Sequence, residues 1–185
     1  MSPRQDAVDL LKAGDQEVVS LFEAFSWLCA RDASDLEKSA VAEEICLLLS
    51  VAAQLKEEVF YPAVRNAISD DVLIGEATLQ VARVKHLIAQ VSVKTPSHPS
   101  YDDKVDLLSS AVAQLVKREQ GELFARVRKT NIDLMALGAH LHDRKSELLA
   151  NYRHRHMPGR SAPPEDEAAD PVGSPELARS PNQPR

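Results

Sequence analysis

The sequence from Ile45 to Pro62 reads ICLLLSVAAQLKEEVFYP, and its apolar residues recur every three or four positions. This spacing is typical of an amphipathic α-helix that buries one face. Pro62 has no backbone N–H to donate, so we expect the helix to kink or tighten near its end. The stretch forms the centre of a helix that we predict from about Leu36 to Asn66.

The same helical period recurs on both sides of this stretch. It predicts long helices over about residues 5–30, 72–93 and 101–129, and a shorter fifth helix over about 132–152. Aromatic residues make up only 4% of the chain, which favours helices over sheets. Because the long helices are joined by short connections, we predict an all-α, up-down-up-down four-helix bundle. Within the first helix, Trp27 lies near Phe22 and Phe25, and we expect it in the core.

The composition changes after His156. Seven of the 11 prolines lie in the last 29 residues, and apolar residues become rare there. Such a segment cannot bury enough apolar surface to offset the entropy lost on ordering. We therefore predict a bundle domain over residues 1–156 and a disordered, proline-rich tail over residues 157–185.

The charge and hydropathy of the 185-residue chain argue against some classes of function. Its net charge of -6 does not indicate a nucleic-acid-binding protein, which would usually present a basic face. No apolar run is long enough to span a membrane, and no secretory leader is evident, so we expect a cytoplasmic protein. Cys29 and Cys46 lie in apolar helical patterns and are expected to be reduced core residues. A protein partner is possible, and the sequence does not name it.

Four short segments carry a resemblance to a known family. They read LLKAGDQEV from Leu10, KEEVFYPA from Lys56, KREQGELF from Lys117 and LMALG from Leu134. In their order and spacing, these segments resemble bacterial hemerythrin HHE domains over about residues 5–152. The resemblance implies a four-helix bundle around a non-haem di-iron centre bound by histidines and carboxylates.

The positions that the resemblance assigns to iron ligands hold other residues here. The family's ligand positions fall on Asp15 in the first helix, Ala52 and Lys56 in the second, Val81 in the third, and Leu115 with Glu119 in the fourth. None of these is a histidine, and only Glu119 is retained among the bridging carboxylates. Because Ala, Val and Leu offer no donor atom and an ammonium repels a metal, we expect neither a metal site nor an iron cofactor.

Two arrangements of the replaced site remain open. In the first, the Lys56 ammonium takes the place of the metal charge and forms a buried ion pair with Asp15 and Glu119, since a buried charge is tolerated only when it is paired. In the second, Lys56 extends outward to water and leaves an apolar layer behind.

Three functional interpretations follow. The leading one is a non-enzymatic structural or interaction module, because no local sequence motif indicates a catalytic nucleophile. The second is a non-haem iron or other metal-binding protein with a rearranged, carboxylate-rich site that senses or binds iron or oxygen. Its ligands would be Asp15, Glu57, Glu58, Glu119 and Glu122. The third is a small-ligand pocket lined by Ala52 and Val81.

Overall fold

The computed structural model describes residues 5–156, and the predicted tail over residues 157–185 lies outside them. The helices are α1 (Ala7–Ala30), α2 (Asp35–Leu55), α3 (Tyr61–Ile68), α4 (Asp71–Ser92), α5 (Tyr101–Arg118), α6 (Phe124–Val127) and α7 (Leu134–His156). Two π-helical turns, π1 (Lys56–Phe60) and π2 (Glu119–Leu123), join α2 to α3 and α5 to α6. Within the described part of the chain, no helix is both long and apolar enough to cross a membrane.

Side-chain caps mark the beginning of three helices of the bundle, α1, α2 and α4. The side chain of Asp6 accepts a hydrogen bond from the Asp9 backbone N–H at the start of α1. Ser34 and Glu37 form a reciprocal capping box at the start of α2. Asp70 caps α4 by accepting from the backbone N–H of Leu73. These side chains satisfy N–H groups that have no partner inside the helix.

Four arms form the bundle: α1, α2–π1–α3, α4 and α5–π2–α6. Each of α1 and α4 packs against both α2 and α5, which closes the square of an up-down-up-down bundle. The predicted all-α fold class is therefore confirmed. The predicted fifth helix corresponds to α7. With 23 residues it is nearly as long as α1, which has 24, so it is not the shorter helix that we predicted. It packs along α1 and α2 because Leu137 and Leu141 give it an apolar stripe.

Gly138 allows α7 to approach the beginning of α1 closely. A Cβ atom at this position would lie 2.5 Å from the backbone carbonyl oxygen of Gln5 and 2.9 Å from the backbone nitrogen of Ala7. Any larger residue would push the two segments apart, since backbone atoms cannot move aside as a side chain can. This contact explains why a glycine closes the LMALG segment.

The core contains aromatic side chains, but Trp27 is not among them. Phe60 and Phe124 meet edge to face with ring centroids 5.8 Å apart, and Phe25 is also buried. Trp27 is 64% exposed, and the guanidinium of Arg31 lies over its ring. Our prediction was wrong because two positions along an α-helix turn a side chain to nearly the opposite face from Phe25.

Both cysteines are free and half-buried, and both pack against the core. Burial raises the pKa of the Cys46 thiol to about 11, so the thiol is neutral at pH 7. Both residues are thus placed as small apolar side chains.

Candidate functional site

Lys56 lies at the centre of the bundle, with 2% of its surface exposed. Its Nζ donates a hydrogen bond to Glu119 Oε2 at 2.6 Å and lies 3.5 Å from Asp15 Oδ1. The side chain does not extend outward to water, as the second arrangement would require. The structure therefore brings together one residue from α1, one from π1 and one from π2.

The two π-helical turns place Lys56 and Glu119. Each of these residues is the first of its turn, and its carbonyl accepts from the N–H five positions later, at Tyr61 and Phe124 respectively. A π-helical turn widens the helix and often lies at a functional site. In the α2–π1–α3 arm, π1 ends two residues before Pro62, whose ring would clash with the carbonyl four residues back in a regular α-helix.

Tyr61 is a fourth member of the cluster, and sequence reasoning missed its role. Its hydroxyl donates to Glu119 Oε1 at 2.6 Å, so both oxygens of this carboxylate are occupied. Burial, and then the negative charge of Glu119, raise the pKa of Tyr61 far above its ordinary value. The phenol is therefore a fixed hydrogen-bond donor. The one available signal was the KEEVFYP segment, in which Tyr61 follows Lys56 at π-helical spacing.

The electrostatics of the cluster keep Lys56 charged. Burial alone would lower the pKa of its ammonium, but attraction to Glu119 and Asp15 and hydrogen bonds to both raise that pKa above its ordinary value of 10.5. At neutral pH the cluster thus holds one ammonium between two acidic side chains. Such a group is stable in a low-dielectric interior only when its partners are retained.

Asp15 is held less tightly than Glu119. Its Oδ2 is buried and accepts no hydrogen bond from any described residue. Two small cavities, of about 20 and 30 Å³, border both Asp15 and Lys56. A cavity of roughly 10–15 Å³ suffices for one water molecule, so a single water fits beside the carboxylate.

Three positions that the family resemblance assigns to iron ligands border the smaller of these cavities. Ala52 is half-buried, and Val81 and Leu115 are buried. The space that they border, about 20 Å³, is far below the ~300 Å³ or more typical of a pocket for an organic ligand. The proposed small-ligand pocket lined by Ala52 and Val81 is therefore not supported.

The five alternative metal ligands do not converge. Glu57, Glu58 and Glu122 lie at the surface or half-buried, and each makes an ion pair with a basic side chain. The pairs are Glu57 with Lys85 at 2.8 Å, Glu58 with Arg144 at 2.8 Å and Glu122 with Arg126 at 2.7 Å. Asp15 and Glu119 instead face Lys56 in the interior. The structure does not bring these five side chains together, because neighbouring positions on a helix point in different directions.

The histidines do not complete such a site. His86, His98, His140 and His142 are exposed, and His86 contacts Gln90 on its own helix. Among the side chains that the structure describes, over residues 5–152, no three His, Cys, Asp or Glu residues are grouped so that they could hold a metal ion. The candidate site is thus the cluster of Asp15, Lys56, Tyr61 and Glu119, which we call the lysine cluster.

Comparisons with known proteins address the fold and one part of the chain. No protein-family model matches the sequence. A curated DNA nickase from Nostoc sp. strain PCC 7120 is 33% identical over 85 residues. That match covers 43% of this chain and 22% of the nickase, so the chain spans about a fifth of the length of this relative.

A solved structure covers almost the whole bundle. It is the crystal structure of a hemerythrin HHE cation-binding domain-containing protein from Mycobacterium kansasii, with a TM-score of 0.68 and 19% sequence identity. The similarity covers 83% of this chain and 94% of that one. At this identity the similarity concerns the path of the backbone. The chain has the fold of the hemerythrin HHE cation-binding domain.

Proposed function

We propose that this protein is a non-enzymatic structural or interaction module in which the Lys56 ammonium replaces the metal charge of a hemerythrin-type bundle. The observation that carries the proposal is the 2.6 Å contact between Lys56 Nζ and Glu119 Oε2 in the interior of the bundle. Glu119 retains a family carboxylate position, and its negative charge needs a positive partner inside the protein. Lys56 supplies that positive charge from a side chain of the protein itself.

The occupied oxygens of Glu119 also support this proposal. One oxygen accepts from Lys56 and the other from Tyr61, so both point at protein donors. A divalent cation bound here would have to displace these donors and lie beside an ammonium of the same sign. Protein donors thus satisfy both oxygens of the buried Glu119 carboxylate.

Metal analysis tests the proposal directly. The purified protein is analysed for iron before and after anaerobic loading with ferrous iron and desalting. We expect iron below about 0.1 per chain in both samples, because the Lys56 ammonium occupies the carboxylates that would otherwise face the metal. About two irons per chain after desalting would instead favour a non-haem iron protein whose ligands rearrange on loading.

Lys56→Glu offers a sharper test because it should create a cation requirement. Three acidic side chains would then face one another, and oxygen donors suit cations such as Mn²⁺. We expect a variant that is strongly destabilised in a chelating buffer and regains stability with Mn²⁺. Lys85→Glu, which changes an exposed lysine paired with Glu57, is the matched control. A Mn²⁺-dependent rise in Tm in wild-type protein or in the control would contradict the proposal.

The similarity to a DNA nickase calls for a separate test of the non-enzymatic assignment. We propose that this chain does not cleave DNA by itself, since its net charge of -6 opposes binding to a polyanion. Supercoiled plasmid incubated with the protein and Mg²⁺ or Mn²⁺ should remain supercoiled. Nicked circles that form in proportion to protein concentration would overturn this assignment, and a preparation of Lys56→Met made in parallel would detect a contaminating nuclease.

A further inference from the structure

The outward face of α4 carries large apolar side chains that no described residue covers. Val72 is 73% exposed, Leu79 71% and Val93 81%. These three residues are seven and fourteen positions apart, so they form one line along the helix. The buried residues of α4, from Ile74 to Val91, lie on the opposite side. A contiguous apolar surface of this kind marks a site of interaction with another protein.

Small residues occupy the positions between the large ones. Gly75, Ala82 and Ala89 also recur every seven positions, and all but the half-buried Gly75 are exposed. The large and small residues alternate at spacings of three and four, which is the heptad pattern of a two-helix coiled coil. We call this series the α4 stripe, and it consists of Val72, Gly75, Leu79, Ala82, His86 and Ala89.

Gly75 is a second indication of a partner on this face. A glycine inside a helix is less favourable than an alanine. A Cβ atom at Gly75 would meet no atom of a neighbouring element within 4 Å, so the described fold of one copy does not require a glycine there. A second helix that packs closely on the stripe would require it, since the missing side chain leaves room for one from the partner.

The stripe is complementary to itself in an antiparallel arrangement. A two-fold axis at the level of residues 80 and 81 places each larger side chain opposite a small one of the second copy. The facing pairs are Leu79 with Ala82, Val72 with Ala89, and His86 with Gly75. Every protruding side chain thus meets a position where the other helix leaves space.

The charges beside the stripe favour the same arrangement. It places Arg83 of one copy beside Glu76 of the other, twice by symmetry. Arg83 is exposed and makes no ion pair with any described residue. Glu76 binds Arg118 at the surface through its Oε2, and a carboxylate can accept a second guanidinium through its other oxygen.

Other arrangements of two α4 helices bring like charges together. A shift by one heptad in one direction would place the two Arg83 side chains beside each other, and a shift in the other direction would do so for the two Glu76 side chains. A parallel pair would place Asp71 of one copy beside Glu76 of the other. The charges therefore select one register and one orientation.

We propose that the protein forms a two-fold homodimer in which α4 packs antiparallel on α4 of a second copy. The helix has 22 residues, which span about 33 Å, and a single pair of this length should bury less than the ~1,600 Å² of a standard interface. The dimer is accordingly weak and depends on protein concentration. It does not depend on the proposed role of Lys56, because α4 contributes no residue to the lysine cluster.

Sedimentation equilibrium of the full chain tests the dimer. We expect an average mass that rises from 20.3 kDa towards twice that value over about 1–500 µM protein. Leu79→Glu places a carboxylate against Ala82 and should lower the association constant by about tenfold or more. Leu36→Glu is the matched control, because Leu36 is 80% exposed on α2 and outside the stripe. A mass that stays at 20.3 kDa, or equal association in the two variants, would overturn the proposal.

Charge exchange tests the register. Glu76→Arg and Arg83→Glu each place like charges at both symmetry-related contacts, so each variant alone should dimerise about tenfold or more weakly than wild type. Both should fold, since the residues are exposed and a surface ion pair contributes little to stability. An equimolar mixture of the two variants restores opposite charges at both contacts and should dimerise as wild type does. Wild-type dimerisation of either variant alone, or a mixture that stays monomeric, would overturn this arrangement.

Discussion

Glu119 and Asp15 both face Lys56, but they are held in different ways. Glu119 is 1% exposed, and its two oxygens accept hydrogen bonds of 2.6 Å from Lys56 and from Tyr61. Asp15 is 7% exposed, and its Oδ1 lies 3.5 Å from the Lys56 Nζ. The comparison shows that one carboxylate supplies most of the neutralisation of the buried lysine.

The difference has a structural cause. Glu119 is the first residue of π2. The α2–π1–α3 arm places both Lys56 and Tyr61 against its carboxylate. Asp15 lies on regular α1 beside Gly14, where small cavities leave space around its side chain. Close contact on one side and open space on the other make the lysine cluster asymmetric, and each of the following substitutions tests that asymmetry.

Lys56→Met should have the largest effect. It leaves Glu119 and Asp15 buried without their cation, and removal of one partner of a buried ion pair costs about 3–5 kcal/mol. Urea unfolding at pH 7 measures the loss, with Lys85→Met as an exposed control. An unchanged unfolding midpoint would exclude a stabilising role for the buried lysine.

Glu119→Gln should have the second-largest effect on the free energy of unfolding. The variant keeps the shape of the side chain but removes the charge that lies closest to Lys56, and we expect a loss of about 3 kcal/mol in the free energy of unfolding. Glu122→Gln, on the same arm but in a surface ion pair, should lose at most about 1 kcal/mol. Equal losses in the two variants would mean that the buried contact contributes no more than a surface pair.

Tyr61→Phe should cost about 1.5–3 kcal/mol, the range for a hydrogen bond to a charged group. Tyr101→Phe is the control, since Tyr101 is equally buried but contacts Phe25 rather than the lysine cluster.

The Tyr61→Phe variant also tests the pH dependence of stability. The pKa values of both Tyr61 and Lys56 are raised on folding, so the folded state retains their protons longer than the unfolded state does.

Stability contributed by these two groups is therefore complete below the ordinary pKa values of about 10 and is lost as the pH rises above them. Wild-type protein should lose stability more steeply than Tyr61→Phe between about pH 10 and 11. Parallel pH profiles for the two proteins would contradict this assignment of the hydroxyl proton.

Asp15→Asn should have the smallest effect, about 1 kcal/mol or less. The lost attraction is weak at 3.5 Å, and the neutral amide is easier to bury than a carboxylate. Its new N–H group can also donate to a water in the adjoining cavity. A loss in urea unfolding as large as that of Glu119→Gln would show that the two acidic side chains share the lysine equally.

Sequence patterns were sufficient to predict the fold, because the bundle depends on helical periodicity and short connections between helices. They also indicated Asp15, Lys56 and Glu119 as neighbours, through the resemblance of their segments to a known family. They misplaced Trp27, since closeness in sequence to Phe25 does not mean a shared helix face. They also grouped Glu57, Glu58 and Glu122 with the central acidic residues, although the helix turns each of them towards a different basic partner.

By itself, then, the sequence determined a helical bundle with a lysine where a ligand carboxylate is expected, because hydrophobic period and residue identity are local properties. Only the tertiary structure decided that Lys56 is buried and that Tyr61 completes the contacts of Glu119. These features depend on two π-helical turns that meet across the bundle. Pro62 gives a local reason for π1, but the helical period of the sequence does not show where a π turn lies or which turns meet, because that depends on packing between the arms.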